Sequence, residues 1–178
     1  MKLPLLLFFI FSTIYFNQTE TENFLIENNQ VVWQKIYETE LSKESLVNKI
    51  RTNGKFENIN VTENGLTAEI KDLSIDYKGY GESEMSTPMY LSRSAVKVFC
   101  MVEFKDKKYR VTFKNIKFIQ KYDDVLSKMG EVNEIETFAL SKKNTEFKSS
   151  FLKKPSKILN YTFSNQTDFR NNIENSKW

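Results

Sequence analysis

The spacing of hydrophobic positions changes several times along the chain, and each change marks an element. FLIENNQVVWQKIYET reads as one strand, with Val31 and Trp33 toward one face and Val32 and Ile36 toward the other. SKESLVNKIRTNG places Leu46 and Ile50 one turn apart behind two candidate capping serines, Ser42 and Ser45, and stops at Gly54, which is the pattern of a short amphipathic helix. KFENINVTENG and LTAEIKDLSIDYKGYG alternate as two strands around Asn64-Gly65, the strongest short hairpin signal in the chain. GESEMSTPMYLSRS is a polar connection. AVKVFCMVEFKDKKYRVTFKNIKF, residues 95–118, supplies two more strands, so the predicted order is β-α-β-β-β-β.

Two of these strands share a phase shift. Leu66, Ala68 and Ile70 give way to Leu73, Ile75 and Tyr77 across Lys71-Asp72, and Tyr109, Val111 and Phe113 give way to Ile116 and Phe118 across Lys114-Asn115. An extra residue that restores the inward face is a β-bulge, which bends a strand and increases its twist, so the pattern predicts a strongly curved antiparallel sheet. If Asp106-Lys107 is the turn of the 95–118 hairpin, Phe104 pairs with Tyr109, Val102 with Val111 and Cys100 with Phe113 on a core face. The opposite face then pairs Glu103 with Arg110, Met101 with Thr112 and Phe99 with Lys114.

That second face is the candidate contact surface, with Lys97, Phe99, Met101, Arg110 and Lys114 as its residues. Three uses fit it. Cations framing aromatics could stack single-stranded nucleic acid, an apolar pair rimmed by charge could form a groove or a dimer interface, or the C-terminal helices could simply cover it. Export, discussed below, and the acidic partner of Arg110 argue against nucleic acid.

From Tyr122 the pattern turns helical, with Val125, Met129, Val132, Ile135 and Leu140 at spacings of three to five. A last helix over PSKILNYTFSNQTDFRNNI has Pro155 in its first turn and Ile158, Thr162, Asn165, Phe169 and Ile173 along one side. The expected organisation is a signal peptide at 1–17, an α+β domain at 24–122 and a helical, basic extension at 123–178.

Composition narrows the chemistry. The chain of 178 residues is 40% hydrophobic and 14% aromatic with five glycines, enough to fold around one core. Residues 141–178 hold eight Lys or Arg against three acids, although the whole chain carries only +3, so the tail is basic and the body is not. The KK pairs at 142–143 and 153–154 suit peripheral contact with an anionic membrane as well as plain solvation. No histidine and a single cysteine, Cys100, exclude imidazole catalysis, His metal ligands, internal disulfides and Cys-rich zinc sites. Cys100, on the core face with no base available, reads as a small hydrophobe. YDDVLSKMGEVNE lacks the ligand spacing and central glycine of a calcium loop. No cofactor is expected.

MKLPLLLFFIFSTIYF is apolar over about 14 residues, too short for a bilayer and suited to a secretory signal. Four sequons, at Asn17, Asn60, Asn160 and Asn165, fit chance in an Asn-rich chain.

With its signal-like start, VVWQKIYET, the Ser-led short helix, the paired strands ending in KKYRVTFKNIKF and a helical tail closing on Trp178, the chain resembles a family of uncharacterised exported proteins of Gram-negative bacteria, a domain of unknown function with a TATA-binding-protein-like (TBP-like) fold. The resemblance covers residues 24–120 well and the tail loosely. It implies a curved antiparallel sheet with helices on one face and transfers no catalytic residue. The expected role is a non-enzymatic binding module of the periplasm or cell envelope, meeting a protein, a peptide, a small ligand or a second copy of itself. The alternative is a hydrolase using carboxylates or a Ser/Lys pair in the sheet concavity.

Overall fold

The structure, a computed structural model, describes residues 21–125 and 127–170. The first strand predicted from sequence is in fact a hairpin, β1 (Phe24–Glu27) and β2 (Gln30–Glu38). Asn28 and Asn29 form its turn with φ of 50° and 63°, a left-handed conformation that asparagine tolerates better than most side chains. Helix α1 (Lys43–Thr52) forms as expected. The Ser42 side chain accepts from the Ser45 N–H at 3.2 Å, Leu46, Val47 and Ile50 are buried, and Gly54 follows at φ +74°. Strands β3 (Glu57–Val61) and β4 (Gly65–Ser74) make the second hairpin, closed by the Thr62 N–H to Gly65 carbonyl bond at 2.8 Å. A single helical turn, α2 (Met89–Ser92), buries Leu91 within the stretch expected to be only a connection.

Strands β5 (Ser94–Lys105) and β6 (Lys108–Gln120) pair in the predicted register, with Cys100 opposite Phe113, Val102 opposite Val111 and Phe104 opposite Tyr109. β7 (Val132–Glu134) then pairs with β6, and α3 (Ile135–Ala139), α4 (Ser149–Lys153) and α5 (Pro155–Thr167) complete the chain. The seven strands form one antiparallel sheet in the order β1-β2-β6-β5-β4-β3, with β7 also on β6. Register shifts fall between Ile70 and Leu73 and between Lys97 and Phe99, where β6 carries Asn115 at φ 52°. These are the two predicted bulges, and they bend the central strands. A third shift, between Glu57 and Asn60, comes with Asn58 at φ 52°.

The helices lie on one face. Trp33, Phe113, Cys100 and Ala68 form a cross-strand row beneath them, and Trp33 and Phe113 meet Phe163 of α5 edge-on at 5.6 and 5.1 Å. Each such aromatic contributes several kcal/mol, roughly, through its buried area and ring geometry. Polar contacts fix where α5 sits. Asn160 Oδ1 accepts from Trp33 Nε1 at 2.9 Å, the Tyr109 hydroxyl donates to the Thr167 carbonyl at 2.9 Å, and Tyr37 meets Thr167 Oγ1 at 2.6 Å.

The helical reading from Tyr122 is corrected by the structure. Among the described residues of 122–131 there is no helix, Val125, Met129 and Val132 are exposed, and Ile135 and Leu140 are the two of that series that enter the core. On α5 the buried stripe runs through Ile158, Leu159, Thr162, Phe163 and Gln166, leaving Asn165 exposed; Ile173 and Trp178 lie outside the described residues. The apolar segment expected as a signal also lies outside them. The described residues after 122 thus supply a strand and most of the helical layer to the same core.

Candidate functional site on the open sheet face

Side chains alternate across each strand, so residues one position out of phase with the core row point away from the helices. The register pairs Leu25 with Val32 and, separately, Phe99 with Lys114 and Glu69 on that face. Gln34, Thr112, Met101 and Thr67 form one cross-strand row, and Ile36, Arg110, Glu103 and Gly65 another. Lys97 sits beyond the β6 bulge, opposite Lys117. All five candidate residues therefore share one face. Phe99 and Met101 are half-buried and stand outside the core cluster, so α1 and α3–α5 do not cover them.

The face is braced by ion pairs. Arg110 grips Glu103 with two bonds of 2.7 Å, and this guanidinium holds the Glu103 carboxyl below the usual carboxylate range. Lys114 Nζ reaches Glu27 at 2.9 Å across β2, and Val32 is buried without belonging to the core cluster. Lys117 lies 3.3 Å from Glu134 of β7. Lys97 makes no ion pair with any described residue. The surface is thus apolar at Leu25, Phe99 and Met101 and framed by paired charges of both signs.

The sequence pattern places the β5 and β6 residues of this face, and the pairing of β2 with β6 adds Ile36 to them. Ile36 is 58% exposed beside Arg110, and a depression of about 100 Å³ next to it is walled by Glu103, Lys105, Lys108, Tyr109 and Arg110. Val32 and Ile36 were legible as one face of a strand; that this face continues Phe99 and Met101 depends on β2 pairing with β6. A broader cleft of about 710 Å³ crosses the sheet end, lined by Glu38–Leu41, Asp106–Lys108 and Arg170. Its charges are of both signs.

Catalytic groups are sparse on this face. Cys100 is buried on the opposite side, where burial pushes its thiol up and away from nucleophilic ionisation. The Ser–Lys contacts are Lys35 to Ser164 at 2.9 Å, on the helix side, and Lys121 to Ser74 at 3.0 Å, in exposed surface near Asp72. Among the described residues no three His, Cys, Asp or Glu side chains converge to hold a metal.

No family model matches the chain, and no curated protein matches it. Among solved structures it is similar to a TBP-like protein from Parabacteroides distasonis ATCC 8503, at 17% identity and a TM-score of 0.44 over 80% of this chain and 86% of that one. It is also similar to a DUF4468 family protein from Bacteroides ovatus ATCC 8483, at 14% identity and a TM-score of 0.44 over 80% and 85%.

Proposed function

We propose that the protein is an exported, non-enzymatic binding module of the bacterial cell envelope whose open sheet face contacts a protein, peptide or small ligand. The observation that carries this reading is that Phe99 and Met101 stand partly exposed on a sheet face that no described helix covers. Apolar residues rimmed by fixed charge mark contact surfaces. The apolar N-terminal segment supports export. The binding role is favoured over hydrolysis because the acids Glu27, Glu103 and Glu134 are each occupied by a cation, and the Ser–Lys contacts lie off this face.

Crosslinking and capture from the cell envelope with wild type, Phe99→Ser and Met101→Ser tests the reading. Both residues lie off the core, so the variants should unfold within about 1 kcal/mol of wild type while losing the captured partner. Retention of the same partner by both folded variants, or a full-length chain found in the cytosol, overturns it.

A further inference from the structure

The backbone of β2 alternates in direction. The Gln34 N–H bonds outward to the Asn23 carbonyl at 2.9 Å, whereas the Thr39 N–H bonds inward to the Lys107 carbonyl at 2.9 Å. Antiparallel pairing alternates residue by residue, so the N–H and C=O of Ile36 and Glu38 point off the sheet, away from β6. No described residue bonds to them. β1 stops at Phe24 opposite Trp33, and the chain before it turns aside through Glu22 and Asn23, at φ 50° and 67°, with Glu22 held by Asn160 at 3.1 Å. Elsewhere on β2 a missing neighbour is replaced: the Val31 N–H, where β6 bulges away, donates to the Glu136 carboxylate at 2.7 Å.

We propose that the outer edge of β2 at Ile36–Glu38 is a strand-addition site for an extended peptide with a long apolar side chain. Donors and acceptors two residues apart along an extended strand match another peptide backbone. The side chains set the polarity of the guest. On the open face, exposed Ile36 offers an apolar contact to one aliphatic or aromatic group of a strand laid along this edge. On the helix face, Lys35 and Tyr37 are bonded to Ser164 and Thr167, so guest residues pointing there meet polar atoms. The favoured guest is an extended polar-apolar-polar segment. This site is separate from Phe99 and Met101 and stands or falls independently of them.

A library of random short peptides displayed on phage, panned on the full chain, is the probe. Enriched peptides, synthesised, should slow amide hydrogen exchange at Ile36 and Glu38 at least tenfold. They should also lose binding at least tenfold when their alternate peptide nitrogens are methylated. Ile36→Pro, which removes one donor, should weaken binding at least tenfold, and Ile36→Thr, which keeps the donor, only a few-fold. If Ile36→Pro does not fold, exchange in the wild type decides. No enrichment, or enriched peptides that leave the Ile36 and Glu38 amides unchanged, overturns the proposal.

Discussion

Gly65 opens β4 beside the turn but is not there for dihedral freedom: its φ is not positive, and what matters is the missing side chain. A Cβ at this position would lie 2.3 Å from the Val102 carbonyl oxygen, a backbone atom that cannot yield without separating β4 from β5. Gly65→Ala should therefore destabilise by about 1–3 kcal/mol, the usual cost of overpacking. The measurement is a denaturant midpoint at unchanged slope; an unaltered midpoint would refute the steric account. Asn64-Gly65 was legible as a hairpin, yet the reason for the glycine was not, because it lies in a strand about 40 positions away in sequence. Cys100 was legible in full, since the alternation of β5 alone puts it in phase with Val98 and Val102 on the core face.

The hairpin of β1 and β2 shows how one reading fails and another holds. FLI and VVW flank Asn28-Asn29 with apolar residues on both sides, and the pair was absorbed into a single strand because the flanks continue its hydrophobic character. The turn requires positive φ at both positions, and glycine is favoured at the second. Asn29→Gly should stabilise the protein by up to ~1 kcal/mol through relief of left-handed strain, seen as a rise in thermal midpoint; a fall would mean that the Asn29 side chain contributes more than its backbone costs. The bulges were legible because each displaces a whole apolar series by one residue, a signal carried by five or six positions. The stretch 122–131 was misread for the opposite reason: Val125 and Met129 fall at helical spacing without any surface to bury them, and the side chains of Asp123 and Asp124 bond the N–H groups of Met129 and Ser127 instead.

At the scale of the molecule, the attachment of α5 to the sheet runs through tyrosines. Tyr37 and Tyr109 stack at 4.9 Å, and burial pushes Tyr37 up to about 12 from an ordinary 10.0, with Tyr109 and Tyr90 raised by the same cause. A folded-state pKa above the unfolded one means that the folded chain holds its proton more tightly. The stabilisation is complete below about pH 10 and is lost as pH rises toward 12. Alkaline titration followed by phenolate absorbance and circular dichroism should show Tyr37, Tyr90 and Tyr109 ionising only together with loss of structure; their ionisation in an intact fold would contradict the packing. The composition of the open face was half legible for a topological reason. β5 and β6 are sequence neighbours and could be paired by eye, whereas Ile36 and Val32 join them because β2, with α1, β3, β4 and α2 intervening, returns to β6. One more contact has a practical side. Asn160-Tyr161-Thr162 is an acceptor sequence for N-linked sugar, and the nitrogen that would carry the sugar donates to Glu22 while the same amide's oxygen holds Trp33 and Asn23. An oligosaccharide added there during synthesis replaces one N–H of that amide and crowds the contact with Glu22 between the start of β1 and α5. Secretion from a eukaryotic host then yields a differently closed molecule from the one made in bacteria, and an Asn160→Gln expression variant removes the sugar while keeping an amide for Trp33.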